Sequence, residues 1–373
     1  MQPGFPPAHM RRLVVKVGSA LLVDPAGQVR QDWLRTLVAD IAARRAAGQQ
    51  IVIVSSGAIA LGARRLNLPK GGRGCLEDAQ AAAATGQIAL SQCWASLLGD
   101  QGITAAQILV TLDDLEHRRR YLNASATLER LLSLGVVPVV NENDSVATAE
   151  IRYGDNDRLA ARIGQAARAD AVVLLSDIDG LYTANPHSNP AAQMVANVPR
   201  IDAAIEAMAD GGSASGMGSG GMLSKIAAAK IAVGAGAHLA IISGKRDHPL
   251  SAWEADGRGT IFHAAKGRAA RKTWIAGRIT VRGRVAVDAG AAKALAAGNS
   301  LLPAGVRSVE GMFARGDLIE IALANGPVIA RGLAEYDSAA AARIAGKRSA
   351  DIDAMLGSER RSVLVHRDHM VLL

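Results

Sequence analysis

Val136–Asp157, VVPVVNENDSVATAEIRYGDND, is the stretch that decides the fold class. It opens on Val136-Val137-Pro138-Val139-Val140, a continuous apolar run of the kind a strand needs when helices cover both its faces. Burying that strand does not require Asn141-Glu142-Asn143-Asp144 at its end, nor Gly154-Asp155-Asn156-Asp157 shortly after. Open α/β sheets bind ligands where their parallel strands stop. The carboxylates of Glu142, Asp144, Asp155 and Asp157 are open to three readings at this point: a metal nest, a catalytic acid pair or a substrate clamp.

The same pattern recurs on either side. Leu13–Val17 (LVVKV) is a predicted strand followed by Gly18-Ser19-Ala20. A lysine inside it is costly unless its ammonium emerges into a polar site or snorkels to the surface. Asp32–Ala47 has helical spacing, with Trp33, Leu37 and Ile41 on one side and Gly48 as a stop. Ile51–Val54 ends in Ser55-Ser56-Gly57-Ala58, whose donors suit an anion, although a plain turn uses the same residues. Ile103–Leu109, Ala171–Leu175 and Leu239–Ile242 are further strands, the last two ending in Ser176-Asp177 and Ser243-Gly244-Lys245. A charged, solvated segment at 113–120 precedes a helix through Leu122–Leu132. Strands alternating with helices predict a doubly wound, mainly parallel α/β sheet. Its polar strand ends together describe the rim of one site.

Gly211–Lys225, GGSASGMGSGGMLSK, is the other unusual segment. Gly216, Gly218 and Gly221 have GxGxxG spacing, but no strand precedes them. No lysine follows Gly221 directly, so neither a dinucleotide fingerprint nor a Walker loop is indicated. A flexible linker and a phosphate cradle both remain open. The run leads into an Ala-rich helix, Met222–Val233, with Lys225 in its first turn, where a cation is unfavourable unless an anion is present.

A chain of 373 residues suggests two domains. With 42 Lys and Arg against 34 Asp and Glu it favours anionic ligands, phosphates among them. Scarce aromatics weaken base-stacking recognition. Cys75 and Cys93 form no metal-spaced pair, which points to a reducing, cytoplasmic setting. The first residues lack the apolar core of a signal peptide. The uncharged span Ala79–Gly99 is broken by Gln80, Thr85, Gln87, Ser91 and Gln92, so it reads as a buried or interface helix rather than a membrane span. Between Gly257 and Val287 stand eight Lys or Arg and no acid, the texture of a solvated linker. Short alternating segments follow at Ile279–Val281, Val285–Val287, Leu318–Ile321 and Val328–Arg331, as in a small, mainly β domain. The expected division is 1–265, a basic linker at 266–277, and 278–373.

Lys16-Val17-Gly18-Ser19, Val54–Ala58, Asn141–Asp144, Gly154–Asp157 and Gly220-Gly221-Met222…Lys225 stand in the order found in the glutamate 5-kinases. The chain resembles that branch of the amino-acid kinase superfamily over nearly its whole length after the first ten residues. The segment Val285–Leu373, with SLLPAGVRSVEGMFARGDLI and VHRDHM, resembles a PUA domain. Ser219 and Leu223-Ser224 depart from the Thr and Ser-Thr commoner in the family's glycine loop, which puts hydroxyl contacts to phosphate in question.

The resemblance implies transfer of phosphate from ATP to the side-chain carboxylate of L-glutamate, giving γ-glutamyl phosphate for proline synthesis. It further implies Mg2+, a homo-oligomer (dimer or tetramer) and feedback inhibition by L-proline. Lys16, Lys225 and Asp157 would be catalytic. Ser56, Asn141, Asp144, Asp155 and Asn156 would hold glutamate. Lys16, Gly18, Ser176, Asp177, Ser219, Gly220, Gly221, Met222 and Lys225 would form the nucleotide side, with magnesium ligands unassigned. A glutamate carboxylate, of pKa about 4.3, is already ionised near neutral pH, so no general base is required. The chemistry needs charge neutralisation and in-line positioning. On this reading the stretch at 136–157 selects the substrate, the metal nest is the weakest alternative, and Asp157 alone reaches the lysines. The rivals are an aspartate or N-acetylglutamate kinase of the same fold, an RNA-binding PUA protein, and a regulatory module without turnover. Near-balanced C-terminal charge and the lack of an aromatic platform oppose the second. The two lysines oppose the third.

Overall fold

The structure is a computed structural model that describes residues 10–24, 28–146, 155–186, 188–210, 221–264, 281–324, 326–348, 351–352 and 363–372. Two compact units divide the chain, Met1–Ala265 and Lys266–Leu373.

In the first unit the chain runs β1 (Arg12–Val17), α1 (Ser19–Leu22), α2 (Gln31–Ala46), β2 (Gln50–Ser55), α3 (Ala58–Arg65), α4 (Leu76–Gly99), β3 (Ala105–Val110), α5 (Leu112–Glu116), α6 (Arg118–Ser133), β4 (Val137–Glu142), α7 (Asp155–Ala166), β5 (Ala171–Ser176), β6 (Asn197–Val198), α8 (Ala203–Asp210), α9 (Met222–Gly234), β7 (His238–Ser243), α10 (Pro249–Asp256) and β8 (Gly259–Phe262). The strands pair in the order β3-β4-β2-β1-β5-β7-β8-β6. From β3 to β7 all pairs are parallel. β8 runs antiparallel to β7 and carries β6 parallel to itself. Every residue of β1 and β5 is buried, as central strands covered on both faces require. The chain crosses from one side of β1 to the other between β4 and β5, so the topological switch point of the sheet falls at β1 and β5.

Two side-chain clusters hold the opposite end of the sheet and its flank. The Arg12 guanidinium, at the start of β1, bonds to Gln50, Glu129 and the Ala167 carbonyl. Asp40 of α2 caps α10 by accepting from the amides of Leu250 (2.9 Å) and Ser251 (3.2 Å).

The second unit contains β9 (Gly283–Val287), α11 (Ala289–Ala296), β10 (Val306–Gly311), β11 (Leu318–Leu323), β12 (Val328–Ala334), α12 (Ser338–Ile344) and β13 (Val365–Leu372). Its strand order is β10-β9-β11-β12-β13, antiparallel except for the pair β9 and β11. Val285, Val287, Ile319, Ile321, Ala330 and Val365 form part of a core of its own. The expected segments at 285–287, 318–321 and 328–331 lie inside β9, β11 and β12. Of the expected segment Ile279–Val281, residues 279–280 lie outside the described residues, and Val281 precedes β9 rather than belonging to a strand, which corrects the expectation at Val281. β10 and β13 were not anticipated. They are the two edges of the sheet, and in β10 the exposed Arg307, Ser308 and Glu310 leave too few apolar residues to give a strand signal.

Candidate active site

Register brings the polar strand ends level: Lys16 pairs with Val54 and Leu174, and Val54 with Val140. Lys16 leaves the buried strand β1 with its Nζ 2.6 Å from Asp157 Oδ1. Lys225, the fourth residue of α9, places its Nζ 3.1 Å from Asp157 Oδ2. Each oxygen of one carboxylate therefore takes one ammonium. The Asp157 side chain is wholly buried in the first turn of α7, and both lysines are buried.

Three buried charges are expensive to desolvate, and such a cluster persists only when its members compensate one another. Burial pushes the Asp157 carboxyl up, but the charges and hydrogen bonds of Lys16 and Lys225 outweigh it and hold the group below the usual aspartate range. Within these three side chains, two ammonium groups face one carboxylate. The amino end of α9 adds the positive pole of a helix dipole. This arrangement attracts an anion.

A second group of polar side chains adjoins the ends of β2 and β4. Gly57 takes φ +105° to turn the chain from β2 into α3, a conformation that favours glycine. The preceding residue, Ser56, is buried, and its Oγ accepts a 2.7 Å bond from Asn156 Nδ2. That bond ties β2 to the first turn of α7. Asn156 Oδ1 is buried and has no hydrogen-bond partner among the described residues. An orphaned acceptor of this kind costs about 1–3 kcal/mol, which a donor on a ligand would relieve. Asn141, buried at the end of β4, donates from Nδ2 to Gln87 Oε1 at 2.8 Å, while its Oδ1 accepts from the Glu142 amide at 2.9 Å.

The remaining expected residues are placed as follows. Asp144 is half-buried just beyond β4. Ser176, buried at the end of β5, donates to the exposed Asp177 Oδ1 at 3.1 Å. Gly18 directly follows β1, and a Cβ added to it would lie 3.7 Å from the Lys16 ammonium. Gly221 and Met222 open α9. The side chain of Asp155, and Ser219 and Gly220 entirely, lie outside the described residues. The structure therefore joins Lys16, Asp157 and Lys225, joins Ser56 to Asn156, and joins Ser176 to Asp177.

Sequence reasoning read α4 as a buried or interface helix and gave it no part in the site. Gln87 holds Asn141, and Trp94 donates from Nε1 to Ser55 Oγ at 2.9 Å. The available signal was Gln87 and Ser91, four residues apart and so on one face of an otherwise apolar helix. Among the described residues, no three His, Cys, Asp or Glu side chains gather to hold a metal ion.

Residues 11–243 match the model of the amino acid kinase family, and residues 283–356 match that of the PUA domain. A glutamate 5-kinase of Sphingopyxis alaskensis is 66% identical over 369 residues, which are 99% of this chain and 99% of that one. Its counterpart in Zymomonas mobilis is 63% identical across 99% of this chain and 93% of its own. That of Novosphingobium aromaticivorans is 59% identical across 97% of this chain and 96% of its own.

Proposed function

This chain belongs to the amino acid kinase family, and from that premise we infer that it transfers the γ-phosphoryl group of ATP to the γ-carboxylate of L-glutamate. The product is γ-glutamyl phosphate, the activated acid from which proline synthesis proceeds. The observation that carries this reading is the buried cluster at the strand ends in which one carboxylate, Asp157, holds two ammonium groups, Lys16 and Lys225.

In the reaction a glutamate carboxylate oxygen bonds to the γ-phosphorus while the bond from that phosphorus to the bridging oxygen breaks, and ADP leaves with the electron pair. The nucleophile is already ionised, so no proton needs to be removed. Lys16 and Lys225 approach the phosphates from a strand end and a helix start. They neutralise the charge that spreads over the phosphoryl oxygens in the transition state. Asp157 aims both ammonium groups, Lys225 by a charge-assisted hydrogen bond and Lys16 by the 2.6 Å ion pair. On the glutamate side, Ser56, Asn141, Asp144, Asp155 and Asn156 form the clamp, with the orphaned Asn156 Oδ1 suited to the α-ammonium. On the nucleotide side we assign Lys16, Gly18, Ser176, Asp177, Ser219, Gly220, Gly221, Met222 and Lys225.

Magnesium, when bound, supplies further neutralisation of the phosphates. The described residues offer it no dedicated cage, and Asp157 is committed to two lysines, so phosphate oxygens and water would be its main ligands.

Trapping the acyl phosphate with hydroxylamine across a panel of acids tests the reading. Hydroxamate should form with L-glutamate and ATP. Faster trapping with L-aspartate or N-acetylglutamate would overturn the assigned acceptor.

The same proposal includes a homo-oligomer, inhibition by L-proline and a cytoplasmic setting. Two free cysteines motivate the last, and no helix among the described residues is long and apolar enough to cross a membrane. Sedimentation of the full chain, with and without L-proline, checks assembly. Titrating L-proline against turnover checks inhibition, and an unchanged rate at saturating L-proline rejects it. For the PUA domain, salt-sensitive retention of RNA by the full chain would support an RNA partner.

A further inference from the structure

The polar side chains of α4 that meet β4 play no part in the phosphoryl transfer described above, yet they form a hydrogen-bond chain with a single direction. The Glu142 amide donates to Asn141 Oδ1 (2.9 Å), and Asn141 Nδ2 donates to Gln87 Oε1 (2.8 Å). Gln87 Nε2 donates to Ser91 Oγ (3.2 Å), and Ser91 Oγ donates to the Gln87 backbone carbonyl (2.7 Å). Both ends are backbone groups whose roles cannot reverse, an N–H at one end and a C=O at the other. Turning either amide over would set donor against donor or acceptor against acceptor. The chain therefore fixes which end of Asn141 is nitrogen.

We propose that Gln87 is a positioning residue for amino-acid recognition, holding the Asn141 amide in the orientation that binds substrate without touching the substrate itself. This rests on the reading that Asn141 belongs to the glutamate clamp. An amide nitrogen carries two protons. With one committed to Gln87, the other is a donor of fixed direction, suited to a carboxylate oxygen of the amino acid. The platform is itself anchored. Trp94, two turns further along α4, is wholly buried and holds Ser55 at the end of β2. One helix thus fixes the ends of two strands that border the site. Gln87 is half-buried and its neighbour Ile88 is exposed, so truncating Gln87 opens no hole in the core.

The test compares Gln87→Ala, Gln87→Glu, Ser91→Ala, Asn141→Ala and the double variant Gln87→Ala/Asn141→Ala in the full chain, reading glutamate KM, ATP KM, kcat and thermal midpoint. Losing the hydrogen bond should raise glutamate KM about three- to tenfold in Gln87→Ala, with kcat and ATP KM near their original values. Gln87→Glu keeps an acceptor for Asn141 and should restore most of the binding. Ser91→Ala should shift KM the same way but less. The double variant should bind glutamate no worse than Asn141→Ala alone. If Asn141→Ala raises glutamate KM and Gln87→Ala does not, Gln87 positions nothing and the clamp reading survives. If Asn141→Ala itself leaves glutamate KM unchanged, the clamp reading fails. A uniform fall in kcat and thermal midpoint without a glutamate-specific shift would make Gln87 merely structural and also overturn the proposal.

Discussion

At Asp157 a single buried carboxylate balances two ammonium groups, and this determines how the site responds to pH and to substitution. Its folded-state pKa lies below the ordinary aspartate value of about 3.9. The stabilisation it contributes is therefore present above that value and is lost as pH falls through the lower, folded-state one. Asp157→Asn would leave two buried ammonium groups adjacent with no anion between them, a loss of about 3–5 kcal/mol in unfolding free energy. Because ATP phosphates can replace the missing charge, ATP should stabilise this variant more than the original chain. Denaturation with and without ATP measures both effects, and an unaltered midpoint without ATP would contradict the compensation described here. Lys225→Ala should lower kcat about 10²- to 10³-fold while changing glutamate KM little, as steady-state kinetics will report. Much of this was legible in the sequence because it appears there as anomalies. A lysine in an all-apolar strand, a lysine at a positive helix end and a carboxylate in an acidic cluster each require a reason. That all three meet was expected through the family resemblance; the residues by themselves do not show it, since it depends on where α7 starts relative to β1. Gln87 gave only a faint signal, its spacing from Ser91 along one helix face, because an uncharged amide in an Ala-rich helix costs little that stands out.

Between elements, the closest approach near the site is that of α3 and α4. A Cβ on Gly62 would overlap the Ala82 carbonyl, and one on Gly86 would overlap the Ala58 carbonyl, so the two helices touch backbone to backbone. Ser56 lies just before α3, and Gln87 follows Gly86, so this contact sets the distance between Ser56 of the clamp and the side chain that holds Asn141. Gly86→Ala would gain about 1 kcal/mol of helix propensity. Forcing the helices apart costs about 1–3 kcal/mol or more, and the overlap with main-chain atoms makes that the larger effect. We expect a lower thermal midpoint and a raised glutamate KM together. A variant as stable as the original would show that the helices separate freely. At β7 and β8, His238 and His263 pack edge to face at 5.6 Å. Burial lowers the pKa of both, and the neighbouring imidazole lowers that of His238 further. The unfolded chain therefore takes up protons first, and stability should fall as pH drops below the ordinary histidine value of about 6.5. The double change His238→Gln/His263→Gln should flatten the thermal midpoint between about pH 7.5 and 5.5, the span across which histidine titrates. Elements with continuous apolar runs, such as β1, β4, β5 and β7, could be read from sequence to within about two residues. The short strands β6 and β8 and the edges β10 and β13 could not, because their length or their solvent-facing alternation removes the run.

For the whole molecule, the decisive fact is that the described site residues all lie in the first unit while each unit has its own apolar core. Leu13, Val15, Ile53, Val139 and Val173 belong to the first core, and Val285, Ile319 and Val365 to the second. A domain that buries a core of its own can fold alone. Chemistry that draws only on strand ends of one sheet needs nothing from the other domain. We therefore propose that residues 1–265 form a self-sufficient kinase domain and that the basic run 266–277 is a linker to the PUA domain. Lys266, Arg268, Arg271 and Lys272 provide trypsin sites within that run. Brief digestion of the native chain should cut there first and yield two fragments. The amino-terminal fragment, ending at Lys266 or at one of the basic residues after it, should keep its glutamate and ATP KM values and its turnover, measured by hydroxamate formation. The outcome turns on whether loss of the second unit is felt at the clamp or only elsewhere. Unchanged kinetics would confine the PUA domain to assembly, regulation or an RNA partner. A fragment that unfolds cooperatively but no longer turns over would mean that the site depends on the second unit, and the proposed division of labour would be wrong.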